Sequence, residues 1–168
     1  MNEYYPISVK YKGETAYAVW FTGQSEGLVC EGGKLLTFSD LTSLVTYAKD
    51  SGFSLSATLH KTYDLDALAD FISDEDRYAD SAALDCWSLF ADLSASLGKP
   101  FAGGGNSFIL NDIYEKLCMA GIDFEGIADE DDETDDRFDL TPEEESMTKA
   151  VLKTGIELYD RYRSEVSR

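Results

Sequence analysis

The sequence predicts an α+β fold in which an N-terminal, mostly antiparallel sheet packs against a C-terminal set of helices. Three observations lead to this prediction. Short runs of alternating, β-branched or aromatic residues fill the first third of the chain. Apolar residues recur at helical spacing through the second half. With 168 residues, 43% of them hydrophobic, the chain can bury one core, so we expect a single domain over residues 1–168.

Two hairpins are predicted at the start of the chain. Alternation over residues 5–9, a turn at Lys12-Gly13 and a run of aromatic and β-branched residues over 15–22 predict the first hairpin. Residues 27–38 predict a second hairpin, which turns at Gly32-Gly33.

The helices are predicted from capping residues and apolar stripes. The first begins after Ser39 or Asp40 and ends near Gly52, and alternation over residues 53–59 predicts a further strand after it. The other helices are predicted after Asp64, from Ser81 or Asp80 to Gly98, over residues 110–120, and after the N-cap Thr141 with Pro142 in the first turn.

Negative charge is concentrated near the C-terminus. The whole chain has 33 acidic and 14 basic side chains, a net charge of −19. Residues 123–145 hold thirteen carboxylates and one basic residue, Arg137. Such a segment repels itself and destabilises the compact state, so we expect it to serve a cationic partner. Nucleic acid and anionic membrane surfaces would be repelled, which leaves a basic protein as the simplest partner. We predict an acidic loop at about residues 125–140.

Cysteine usage and hydropathy predict a cytoplasmic protein. Cys30, Cys86 and Cys118 are odd in number and far apart, which is typical of reduced thiols. No apolar run approaches the roughly 20 residues of a membrane-spanning helix. The N-terminus shows no positively charged and apolar signal-peptide pattern.

Catalytic residues are not predicted. The carboxylates of Asp64 and Asp66, or of Asp80 and Asp85, are close enough in sequence to act as an acid and a base. Among 33 acidic residues, however, such pairs arise by chance, and helix caps explain them equally well. His60, the only histidine, has no nucleophile placed beside it by the sequence.

No metal site and no cofactor are predicted either. Read as a calcium loop from Asp129, the sixth and twelfth positions are Thr134 and Leu140, where an EF-hand has Gly and Glu. The glycines at 103–105 lack the Lys of a phosphate-binding loop.

Three stretches together resemble a known family. Residues 63–68 (Tyr-Asp-Leu-Asp-Ala-Leu), 85–93 (Asp-Cys-Trp-Ser-Leu-Phe-Ala-Asp-Leu) and 111–117 (Asn-Asp-Ile-Tyr-Glu-Lys-Leu) resemble immunity proteins of bacterial polymorphic toxins. The resemblance is nearest to those that guard against contact-dependent growth inhibition. It covers roughly residues 60–120 and involves core and cap positions of helices, so it concerns the fold rather than a site. After Leu117 the acidic segment departs from the family pattern.

The resemblance implies a cytoplasmic protein without catalytic activity. Such proteins bind the C-terminal toxin domain of a protein delivered by a neighbouring cell, and cover its active site or a nearby surface. Many of these toxins are basic nucleases. An anionic inhibitor is suited to that task, because it complements the positive groove that binds nucleic acid.

We therefore hypothesise an immunity protein that neutralises a cognate basic toxin domain, with a nuclease as the expected class. Aromatic anchors are common at interfaces, and Tyr4, Tyr5 and Tyr78 are candidates with core or ordinary surface positions as their alternative. The predicted toxin-binding residues are Asp129, Glu130, Asp131, Asp132, Glu133, Asp135 and Asp136, with Glu143 and Glu144 at the edge.

Two other hypotheses remain open. A small metal-dependent hydrolase that uses acidic residues would bind Mg²⁺, Mn²⁺ or Ca²⁺ stoichiometrically. A nucleic-acid mimic or adaptor for another basic protein would differ from the first hypothesis only in its partner.

Overall fold

The structure, a computed structural model, describes residues 1–105, 107–120 and 140–165. The predicted acidic loop and the contact residues between 129 and 136 lie outside these ranges. The strands are β1 Glu3–Tyr11, β2 Glu14–Thr22, β3 Gly27–Leu28, β4 Cys30–Glu31, β5 Lys34–Thr37, β6 Lys61–Asp64 and β7 Arg163–Glu165. The helices are α1 Leu41–Asp50, α2 Leu65–Ser73, α3 Ser81–Leu97, α4 Phe108–Ala120 and α5 Pro142–Tyr162.

The strands form two sheets, mainly from the N-terminal part of the chain, and the α+β prediction is confirmed. The larger has the order β3-β2-β1-β6 and the smaller the order β4-β5-β7. β1 and β2 form the predicted first hairpin, whose turn has Lys12 and Gly13 at φ 53° and 76°. Positive φ at both central residues is typical of the turn that matches strand twist. β4 and β5 form the second predicted hairpin. β6 pairs in parallel with β1, and β7 pairs in parallel with β5.

The strand predicted over residues 53–59 is wrong. The position beside β1 is taken by β6, with Lys61 opposite Ile7. Residues 53–59 pair with β1 only through a single isolated bridge, between Leu55 and Tyr4. Phe53 instead stacks on Tyr4, with ring centroids 4.5 Å apart, in a small apolar cluster beside the sheet.

The predicted caps are confirmed. Asp40, Asp64, Asp80 and Thr141 each accept a hydrogen bond from a backbone amide in the first turn of their helix. These bonds satisfy amides that have no partner inside the helix.

One predicted apolar stripe is only half buried. In α1, Leu44 and Ala48 are buried, whereas Leu41 and Val45 are 40% and 52% exposed. α1 therefore contacts the rest of the fold through a narrower face than its sequence indicated.

Within the main core, α3 packs against α5. Trp87, Phe90 and Tyr159 are fully buried there, and Gly155 lets the two helices approach closely. A Cβ atom on Gly155 would lie 2.0 Å from Cδ2 of Phe90. Among the described residues, no helix combines the length and apolar character needed to cross a membrane.

Candidate functional site

The start of α5 holds the two predicted contact residues that the structure describes, Glu143 and Glu144. Thr141 Oγ1 accepts from the backbone amide of Glu144 at 3.2 Å, and the amide of Thr141 donates to Glu144 Oε2 at 2.9 Å. The other carboxylate oxygen of Glu144 pairs with Lys116 Nζ at 2.6 Å. The Lys116 ammonium lowers the pKa of Glu144, and the amide of Thr141 adds to this.

Glu143 and Glu144 therefore differ in their surroundings. The side chain of Glu144 is 15% exposed and engaged by α4, whereas Glu143 is exposed to solvent. Glu143 is the better placed of the two to meet a partner. Toxin binding by both residues, and by the seven contact residues outside the described ranges, stays a prediction.

Glu145, the next residue, has a structural role that the sequence did not indicate. It is 7% exposed, and its two carboxylate oxygens accept from the backbone amide of Ala79 at 3.2 and 3.1 Å. Burial raises its pKa above the usual range of a Glu. The contact ties the connection between α2 and α3 to the first turn of α5.

The outer face of α4, defined here as Phe108, Ile109, Asp112, Glu115 and Met119, combines apolar and acidic side chains. Phe108, Ile109 and Met119 are 91%, 59% and 60% exposed. At helical spacing, positions 108, 112, 115 and 119 lie on one side, opposite the buried positions 113 and 117. Apolar residues therefore stand at both ends of the face, with two carboxylates between them.

The predicted helix over residues 110–120 begins two residues too late to include Phe108 and Ile109, so this face was not predicted. The available signal was Ser107, whose hydroxyl accepts from the amide of Leu110 at 3.4 Å. A Ser just before an apolar run is a common N-cap, and it would have placed Phe108 and Ile109 in the first turn.

A cleft of about 170 Å³ lies between β6, α2 and the start of α3. Its lining includes the apolar side chains of Leu68, Phe71 and Cys86 and the carboxylates of Asp64, Asp80 and Asp85. These carboxylates have local partners: Asp64 and Asp80 cap their helices, and Asp85 pairs with Lys61 at 2.7 Å. The contacts of Asp64 and Asp80 match the helix-cap explanation that the sequence left open, whereas Asp85 forms an ion pair.

Asp66, the other member of the first carboxylate pair, also has a local partner. It accepts from the backbone amides of Lys12 and Gly13 at 2.6 and 2.9 Å, which fixes the first hairpin turn against α2. Backbone hydrogen bonding, first of all from Gly13, lowers the pKa of Asp66.

Two of the thiols are poor nucleophiles. Burial raises the pKa of Cys30 to about 11 and that of Cys86 to about 12, so both are protonated at neutral pH. His60 stacks flat on Trp20, with ring centroids 4.8 Å apart and an interplanar angle of 4°. Within residues 1–105, 107–120 and 140–165, no group of three His, Cys, Asp or Glu is arranged to hold a metal.

The three tyrosines considered as anchors have different surroundings. Tyr4 is half-buried against Phe53, and the hydroxyl of half-buried Tyr5 donates to Glu3 Oε2 at 2.6 Å. Tyr78, at 52% exposure, presents the largest share of its surface.

Comparison with known proteins bears on the fold and not on the function. No family model matches the sequence, and a search of curated proteins gives no match. Among solved structures, the chain is similar to the C-terminal domain of SatS, whose crystal structure was determined in complex with bromine. The TM-score is 0.56 at 12% identity, over 97% of this chain and 94% of that one. At this identity the likeness is one of fold alone.

Proposed function

We propose that this protein is an immunity protein that binds and neutralises a cognate basic toxin domain, of the nuclease class, in the cytoplasm. The observation that carries the proposal is the concentration of thirteen carboxylates within residues 123–145, in a chain of net charge −19. Since such charge opposes compact folding, its presence is best explained by a cationic surface that it meets.

Carboxylates are also frequent in the part of the chain that the structure describes. Residues 64–85 carry eight carboxylates and one basic side chain, Arg77. Three of these carboxylates, on Asp74, Glu75 and Asp76, lie on exposed residues of the connection between α2 and α3. Glu143 adds an exposed carboxylate at the start of α5.

Inhibition would follow from electrostatic complementarity. A nuclease offers a positive groove to nucleic acid, and an anionic protein surface that covers this groove excludes the substrate. The same charges steer encounter, which reaches on the order of 10⁸ M⁻¹ s⁻¹ for steered pairs at low salt. Fast capture suits a cell that must stop an incoming toxin before it cleaves its target.

A binding and inhibition assay tests the proposal. We expect a secreted protein with a basic C-terminal domain to be encoded beside this chain. We expect the chain to co-purify with that domain and to abolish its nuclease activity at equimolar concentration. An unrelated acidic protein of similar net charge is the control for non-specific attraction. Undiminished nuclease activity at equimolar and tenfold excess of this chain would contradict the proposal.

The hydrolase alternative has a separate test. Calorimetric titration with Mg²⁺, Mn²⁺ and Ca²⁺ would give tight, stoichiometric binding for a metal-dependent enzyme. An anionic binding protein would show weak, non-stoichiometric and salt-sensitive binding of all three ions.

A further inference from the structure

We infer that the outer face of α4 anchors the basic partner, with Phe108 and Ile109 as its principal apolar contacts. The inference rests on the proposed function and adds to it a surface that neither the sequence nor the family resemblance indicated.

The first step is the exposure of the apolar side chains. Phe108 is 91% exposed and Ile109, beside it in the first turn of α4, is 59% exposed. Large apolar side chains grouped on a surface mark interaction sites more often than scattered ones do. Aromatic anchors that become buried in a partner carry much of the energy of an interface.

The second step is the charge on the same face. Asp112 and Glu115 lie between the apolar ends, and the Asp112 side chain is 64% exposed. The Lys116 ammonium, at the edge of this face, is 2.6 Å from Glu144 and 3.5 Å from Asp112. The described face therefore offers carboxylates and apolar groups to a partner, which is complementary to a basic protein with an exposed apolar patch.

The third step is continuity with the start of α5. Because Lys116 joins α4 to Glu144, the outer face of α4 lies beside the first turn that carries Glu143. One partner can therefore contact both. From Phe108 to Met119 the face extends about 16 Å along the helix, which is a part of a standard interface rather than the whole.

A second copy of this chain fits the face poorly. In a symmetric contact the same patch meets itself, so the carboxylates of Asp112 and Glu115 would approach those of the other copy. Like charges brought together at an interface are unfavourable. The charge pattern thus favours a basic partner over self-association.

The test uses two matched pairs of substitutions. The first variant carries Phe108→Ser and Ile109→Ser on α4. The control carries Leu41→Ser and Val45→Ser, which replace a pair of exposed apolar residues on α1. The probe is the purified basic C-terminal toxin domain encoded beside this chain, immobilised for kinetic measurement.

We expect the α4 variant to bind at least about tenfold more weakly, mainly through faster dissociation, while the control keeps wild-type kinetics. If the wild-type chain binds and the two variants bind equally well, the inference is overturned and the proposed function stands. If the wild-type chain itself fails to bind, both are overturned.

Measurements on the free chain test whether another part of this chain, or a second copy of it, covers the outer face of α4. Thermal unfolding and sedimentation are recorded for the wild type and both variants. A melting temperature lowered only in the α4 variant would mean that this chain covers the face itself. A dimer present in the wild type and absent only in the α4 variant would mean that a second copy covers it. Either result overturns the inference.

Discussion

At Gly155, α5 passes so close to α3 that a single methyl group has no room. The added Cβ of Gly155→Ala would lie 2.0–2.5 Å from three atoms of the fully buried Phe90 ring. We expect the substitution to lower the free energy of unfolding by about 1–3 kcal/mol, as overpacking does. Urea denaturation measures it, with Lys153→Ala on the exposed side of α5 as the control. Equal stability of the two variants would show that the helices can separate freely.

Glu145 makes stability depend on pH. Burial raises its pKa in the folded state above the unfolded value, so the folded state binds more protons in between. Its contribution to stability is therefore fully present below the unfolded pKa of about 4.3 and is lost as pH rises through the folded pKa. Glu145→Gln removes this loss.

We expect the difference in unfolding free energy, Glu145→Gln minus wild type, to increase from pH 4 to pH 7 in urea titrations. The matched control is Glu143→Gln, an exposed position in the same turn. A difference that does not change with pH would contradict the assigned effect of burial.

At the scale of the element, the first turn of α5 holds one carboxylate that is bound within the fold, on Glu144, and one that is exposed, on Glu143. Thr141 and Glu144 exchange two hydrogen bonds across it, and Glu144 also pairs with Lys116. We expect Thr141→Ala to lower the free energy of unfolding by about 0.5–2 kcal/mol, as the loss of an N-cap does. Glu144→Ala should also lower it, because the bonds to Thr141 and Lys116 are both lost. Glu143→Ala should change it by less than about 0.5 kcal/mol. Chemical denaturation of the three variants decides, and an equal loss at Glu143 and Glu144 would contradict the capping role.

Helices were predictable because their signals are local. Asp64 and Thr141 cap the helices that begin one residue later, and a cap acts within its own first turn. β6 and β7 were not predictable, because each is extended through pairing with a distant strand. Residues 53–59 alternate between apolar and polar side chains as a strand does, yet the strand that pairs with β1 at this edge is β6.

At the scale of the whole molecule, the charge excess was predictable and its placement was not. Composition alone gives 33 acidic against 14 basic residues. Packing decides which carboxylates stabilise the fold. Glu144 pairs with Lys116, and the buried Glu145 accepts a hydrogen bond from the amide of Ala79. The exposure of Phe108 likewise depends on which side of α4 faces the core, and that is decided by the contacts of Ile113 and Leu117.

The acidic segment should affect mainly the rate at which this chain associates with the toxin domain. Replacing Asp129, Asp131, Asp132 and Asp135 by Asn removes four negative charges without a change in side-chain shape. Because steering charges act before contact, we expect slower association with the toxin domain, a flatter dependence on salt and little change in dissociation or in the free energy of unfolding. Stopped-flow kinetics at low and high salt measure this. The control replaces four exposed carboxylates outside both acidic regions, those of Glu14, Glu31, Asp50 and Glu157, by their amides. Unchanged rates in the fourfold variant at both salt concentrations would mean that steering comes from another surface.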